Sequence, residues 1–243
     1  MTVTTVLLDL DNTLLSNDMS DFLPPYFAGL EKRLRQFVEF DDLQRLMYAS
    51  IGVMKANLDE TTTNMACFMA DFGARLDCRL EILEQAFELF YAEDYPNLQQ
   101  FTTLRAEARE LVDYLLARNY KVVVATNPLF PAVAIEQRLT WAGIADFPYT
   151  LVTTMENSHF SKPDPRYYWE ILAKIESTPA ESWMIGDDPK NDIKPAHSLG
   201  LKTWWITDPT RGPSPQELKI TPDRQGSLAD FLIWVKQGGF ANS

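Results

Sequence analysis

Four short polar blocks carry the residue types that do chemistry in this 243-residue chain. The first, Asp9-Leu10-Asp11-Asn12-Thr13, interrupts the apolar run VLLDLDNTLL with two carboxylates one residue apart. The others are Thr126-Asn127, Lys162-Pro163 and Gly186-Asp187-Asp188-Pro189-Lys190-Asn191-Asp192. Taken singly they also fit modest roles: an Asx-turn or helix cap for the first block, a turn residue for Thr126, a solvated charge for Lys162. A calcium loop of the EF-hand type fails on the first block, because its sixth position needs Gly and is Leu14, and its twelfth needs Glu and is Ser20. The last block is harder to dismiss. Asp187, Asp188 and Asp192 follow an apolar run closely and repel one another unless a cation, hydrogen bonds or a helix N-terminus compensates.

The segments around these blocks predict how they are positioned. Val3 to Leu10, Lys121 to Thr126, Tyr149 to Thr153, Ser182 to Ile185 and Lys202 to Ile206 are short β-branched or aromatic runs bounded by turn signals, and read as strands. Continuous apolar stretches such as Val122-Val123-Val124 imply burial on both faces, as in a parallel sheet covered by helices. Leu104, Ala108, Leu111, Val112, Leu115 and Leu116 recur at helical spacing. Asp164-Pro165 reads as an N-cap and first helical residue, and Ser227 with Asp230 as a capping box on a helix closed by Gly238. Strands alternating with helices predict an α/β core, with each polar block at the C-terminal end of a strand, where open α/β sheets bind ligands.

Residues 16 to 98 break that alternation. They hold no strand-like run, but three apolar stripes at helical spacing: Leu30, Leu34 and Phe37/Val38; Leu43, Leu46/Met47 and Ile51/Met54; Leu83, Ala86/Phe87 and Phe90. An all-helical insertion is expected there, leaving 1–15 and 99–243 as the α/β core. Pro209 to Pro222 reads as a long surface loop.

Composition narrows the classes further. With 46% hydrophobic residues the chain can bury a substantial core, and its formal net charge of −12 argues against general affinity for nucleic acid or anionic membrane. Cys67 and Cys78 lack metal or redox spacing. The N-terminus MTVTTVLLDLD has no basic region, and aspartates cut its apolar run short of a signal peptide or membrane span, so a soluble, cytoplasmic protein is expected.

Taken together and in this order, the four blocks resemble the motifs of the haloacid dehalogenase-like superfamily, and the insertion after the first block resembles that superfamily's helical C1-type cap. The resemblance spans residues 3 to about 206. It implies a Rossmann-like core and a Mg²⁺-dependent phosphatase acting on a small phosphorylated metabolite through an aspartyl-phosphate. By resemblance Asp9 is the nucleophile, and Asp11 the general acid and base. Asp11, Thr126, Asn127 and Lys162 attend the phosphoryl group, and Asp9, Asp11, Asp187 and Asp192 the metal, with Asp188 an alternative to Asp192. A cation is physically needed: unit charges about 5 Å apart repel by about 3 kcal/mol at an effective dielectric near 20.

Family dehalogenases lack the second aspartate, so Asp11 argues for the phosphatase branch. A phosphomutase and a non-catalytic phosphate-binding protein stay open, as do substrate and oligomeric state. Asn12 stands where many members have Gly, and Asn tolerates the left-handed backbone. His159 and His197 match no motif. Among polar residues of the insertion, Arg45, Lys55, Asn57 and Asn64 are candidates to face the site.

Overall fold

The computed structural model describes residues 2–207 and 221–242, so all but the end of the loop expected at 209–222 lies outside the described residues. Strand β1 (Thr5–Leu8) is followed by a short strand β2 (Leu15–Asn17) and by four helices, α1 (Met19–Leu34), α2 (Leu43–Ala56), α3 (Asn64–Leu76) and α4 (Leu80–Leu89). A π-turn (Phe90–Asp94) and a 3-10 stretch (Tyr95–Phe101) lead into β3 (Thr102–Leu104), which pairs antiparallel with β2. The four helices therefore leave and re-enter through two paired strands. The chain then runs α5 (Ala106–Leu116), β4 (Lys121–Val124), α6 (Ala132–Trp141), β5 (Leu151–Val152), α7 (Pro165–Lys174), β6 (Ser182–Gly186), α8 (Lys194–Ser198), β7 (Lys202–Ile206), β8 (Arg224–Gly226) and α9 (Leu228–Lys236).

The main sheet has the order β5-β4-β1-β6-β7-β8, and all its pairings are parallel. Strand β1 sits between β4 and β6, where the chain winds to opposite sides, and such a switch point opens a crevice at the strand C-termini. Both faces are buried. Val6, Leu8, Val122, Val124 and Ile185 belong to one apolar cluster, and Leu7, Val123, Ala125 and Met184 to the other, as the two-residue period of a strand requires. The first cluster continues unbroken into the helical layer through Phe22, Leu30, Phe72 and Leu83.

Local signals act as their chemistry predicts. The Asp164 side chain accepts from the Arg166 backbone N–H to open α7, and Ser227 with Asp230 forms a reciprocal capping box on α9. Gly238 follows α9 with φ 81°, a conformation glycine adopts without strain.

Where the structure departs from the sequence expectation, long-range pairing is the reason. Leu104 was expected on a helix with Ala108; it lies in β3 opposite Leu15. Strand β8, with the polar sequence Arg-Gln-Gly, has no strand propensity and exists through its parallel pairing with β7. The ends of the expected strands are also trimmed, most usefully at β1, which stops at Leu8. Among the described residues, no helix is long and apolar enough to cross a membrane.

Candidate active site

Asp9 and Asp11 thus lie in the loop beyond β1 rather than in the strand. The Asp9 backbone N–H still donates to the Ile185 carbonyl at 2.9 Å, which fixes its place beside β6. The chain then turns tightly: Asn12 has φ 60°, the left-handed region that asparagine tolerates, and its N–H donates to the Leu15 carbonyl at 2.7 Å.

One buried ammonium ties the blocks together. Lys162 Nζ donates to Asp9 Oδ1 at 2.8 Å and to Asp192 Oδ1 at 2.6 Å, and the lysine is 1% exposed. Asp9, Asp187 and Asp192 each bring a carboxylate oxygen within 4.8 Å of the others. Burial pushes the Asp9 carboxyl up to about 7 despite the opposing pull of Lys162. Burial, reinforced by Asp9 and Asp192, pushes Asp187 up to about 9, and Asp192 is raised too, again chiefly by burial. For Lys162, burial acts downward, but the carboxylates of Asp192 and Asp9 outweigh it and hold the amine well above its ordinary value. Three carboxyl groups against one ammonium leave a surplus of negative potential. An all-oxygen donor set of that charge fits a hard divalent cation.

The loop after β6 is shaped around this cluster. A Cβ on Gly186 would fall 2.2 Å from Asp192 Oδ2, so only glycine lets that carboxylate lie against the strand end. Asp192 Oδ2 in turn accepts from the Asp188 backbone N–H at 3.0 Å. Asp188 spends its own oxygens on Lys190 N–H, Asn191 N–H and the Asn191 side chain, and is absent from the cluster. Trp205 Nε1 donates to the Asp187 carbonyl at 2.9 Å and Tyr168 hydroxyl to the Asn191 carbonyl at 2.7 Å, bracing the loop from β7 and α7.

On the other side of β1, the Thr126 carbonyl accepts from Thr153 Oγ1 at 2.7 Å and from the Tyr167 hydroxyl at 2.8 Å, which fixes the turn after β4. Asn127 Oδ1 and Thr13 Oγ1 are buried without a hydrogen-bond partner. Orphaned polar atoms of this kind are rare in folded proteins, and each is open to a water, an ion or a ligand atom.

The model of the haloacid dehalogenase-like hydrolase family matches residues 3–200. The chain belongs to that family. A phosphoserine phosphatase from Thermus thermophilus is 30% identical to this hydrolase over 149 residues, 60% of this chain and 55% of that protein, so the chain spans about half the length of that relative. Pyrophosphatase PpaX from Bacillus cereus is 24% identical over 210 residues, 84% of this chain and 82% of that one. In fold, a 2-haloacid dehalogenase from Pseudomonas syringae pv. Tomato matches with a TM-score of 0.68 at 17% identity, covering 97% of this chain and 99% of the other.

Within this hydrolase, the candidates from the helical insertion separate. Asn64, at the start of α3, is buried and donates to the carbonyls of Pro128 and Phe160, so it fastens the insertion to the turns that carry Asn127 and Lys162. Lys55 is exposed on α2, and partial desolvation with the like charge of Lys190 lowers its pKa. Asn57 bonds within its own turn, to Asp59 and Thr62 carbonyls, and Arg45 is exposed. His159 Nδ1 lies 2.8 Å from Glu170 Oε1, a brace for the loop before Lys162.

A cavity of about 320 Å³ opens where α1 to α4 meet the core loops; Met47, Met65, Met69, Phe68 and Phe87 are among its lining. None of the four polar blocks lines it directly. Sequence reasoning also missed Arg138. It is fully buried on α6, and its Nη1 donates to Asp11 Oδ2 at 2.9 Å. The signal was present, since Arg138 falls at helical spacing among Ala134, Ile135 and Trp141 on the buried face of α6, where a charge needs a partner.

Proposed function

We propose that this hydrolase is a Mg²⁺-dependent phosphatase of small phosphorylated metabolites, working through an aspartyl-phosphate on Asp9, with residues 16–98 as its cap. The observation that carries the reading is the single buried amine of Lys162 bridging Asp9 and Asp192 inside a three-carboxylate cluster. A carboxylate held by an ammonium at a sheet's ligand-binding edge is a nucleophile whose charge is compensated before and after it is phosphorylated.

In this reading an Asp9 carboxylate oxygen attacks phosphorus in line with the departing oxygen, which takes a proton from Asp11. Water then attacks the phosphorus of the Asp9 acyl phosphate, Asp11 receives a proton from it, and inorganic phosphate leaves. Lys162 offsets the negative charge on Asp9 throughout. Thr126 and the backbone N–H groups at Asn127 and after Asp9 bind phosphoryl oxygens. Asp9, Asp187 and the Asp11 carbonyl would hold Mg²⁺, with Asp192 at its outer shell, and the bound ion supplies the charge neutralisation that lets an anionic ester approach two carboxylates. The helical cap screens the site from bulk water and selects the leaving group. The relatives named above include a phosphoserine phosphatase and a pyrophosphatase, which supports an anionic phosphorylated substrate.

A screen of phosphorylated metabolites with and without Mg²⁺, run beside Asp9→Asn, tests the reading. Phosphate release is expected only from the wild type with Mg²⁺. Turnover that survives either the substitution or chelation would overturn it.

A further inference from the structure

We infer that Arg138 is a positioning residue for the Asp11 carboxylate, acting from the buried face of α6. The inference rests on the reading of Asp11 as the group that gives and takes the leaving-group proton. Each oxygen of that carboxylate has its own side-chain donor: Asn17 Nδ2 of β2 reaches Oδ1 at 2.8 Å, and Arg138 Nη1 reaches Oδ2 at 2.9 Å. Two donors from two elements on two oxygens fix the plane of the carboxylate as well as its place.

Arg138 is itself held in a rigid frame. Its Nε donates to the Tyr95 hydroxyl at 2.8 Å, and its guanidinium lies 3.9 Å from the centre of the Phe130 ring and 5.0 Å from that of Phe22. Tyr95 belongs to the 3-10 stretch that returns the helical insertion to β3, so the anchor of Arg138 lies at the root of the proposed cap. The arrangement is a poor way to gain stability. Arg138 is 0% exposed and its Nη2 is buried without a hydrogen-bond partner, whereas an apolar side chain could pack against the same rings with no charge to desolvate. What the guanidinium adds that an apolar residue cannot is the placement of Asp11.

Proton delivery matters most when the leaving group is basic, and kcat/KM reports the step in which that group departs. The test therefore compares kcat/KM on 4-nitrophenyl phosphate, whose phenolate leaves readily, with kcat/KM on phenyl phosphate, a similarly shaped ester with a more basic leaving group. In Arg138→Met the phenyl ester should lose roughly 10-fold or more relative to the nitrophenyl ester, less than the roughly 100- to 10,000-fold that general acid catalysis contributes, because Asp11 is displaced and not removed. Arg138→Lys should recover part of the loss. Tyr95→Phe, which removes only the anchor of Nε, should shift the ratio the same way by less, and gives the answer if Arg138→Met does not fold. A purely structural role would lower both esters equally, and equal losses, or none, in the folded variants would overturn the inference. Asp11→Asn separates the two readings. If it shifts the ratio while the Arg138 and Tyr95 variants do not, only the present inference falls; if it does not, the proton-shuttle reading falls with it.

Discussion

Where β1 and β6 end, the buried Lys162 bridges the buried Asp9 and Asp192, and the half-buried Asp187 brings a carboxylate oxygen within 4.8 Å of theirs. Where α1 to α4 meet the core loops, the cavity is lined largely by methionines and aromatic rings, with Glu84, Glu88 and Glu156 among them and one hydroxyl pair, Tyr26 with Tyr91, at 3.0 Å. The first region holds charges that would repel in isolation and keeps them in place with fixed donors. The second offers polarisable, conformationally adaptable side chains that fit a range of shapes. In the proposed reading, reaction type is built into the rigid polar geometry and choice of leaving group into the more adaptable surface. The two regions meet through Asn64, which ties α3 to the turns on either side of the site.

Substitutions can break this contrast in either direction. The largest effect on stability is expected from Phe72→Ala in the helical layer, because Phe72 is fully buried with the Phe68 ring 5.2 Å and the Phe87 ring 6.1 Å from it. Truncating such a residue costs about 3–5 kcal/mol by denaturant unfolding. Turnover of 4-nitrophenyl phosphate by the folded fraction should hardly change; its collapse in a folded variant would mean that the helical layer also carries the chemistry.

The strand ends should respond to a cation instead. At 100 times its dissociation constant Mg²⁺ should stabilise the wild type by about 2.7 kcal/mol, read as a rise in Tm. That rise should largely vanish in Asp187→Asn, whose Tm without metal should be no lower than that of the wild type, since folding then no longer forces a buried carboxyl to take up a proton. An Mg²⁺-induced rise in Asp187→Asn equal to that of the wild type would remove Asp187 from the metal site.

A smaller, pH-dependent effect is expected at Glu170, which accepts the backbone N–H groups of His159 and Phe160 and pairs with Lys174. Burial acts to raise its pKa, but the bonds from Lys174 and His159 prevail and hold it below the ordinary 4.5. A carboxylate with a depressed folded pKa contributes stability above its unfolded pKa and loses it as pH falls through the folded value. Glu170→Gln should therefore cost about 1–2 kcal/mol at pH 7, with the gap to wild type closing below about pH 4.5. A gap unchanged from pH 7 to pH 3 would contradict this.

The same contrast explains what the sequence made legible. Asp9, Thr126, Lys162 and Asp187 could be singled out because the blocks that hold them, taken in order, resemble the family's motifs, and apolar runs announce the strands before Asp9, Thr126 and Asp187. Gly186 stood in plain view, yet its role depends on Asp192 folding back to within a Cβ's reach, which only the structure supplies. Strands β2 and β3 are three residues each and pair across the whole helical insertion, so no local pattern marks them. Pro24 and Pro25 inside α1 obscured that helix's first turns. Arg138 shows the commonest gap: a charge on a buried helix face signals a partner, but naming Asp11 as that partner requires the fold.

The most direct test of the central claim is to find where phosphate resides during turnover. Wild-type protein mixed with Mg²⁺ and a turned-over phosphate ester, quenched in acid and digested, should carry phosphate on the peptide containing Asp9, in an alkali-labile linkage. Asp9→Asn under the same conditions should carry none. Phosphate on any other residue, or steady turnover by Asp9→Asn, would contradict the account.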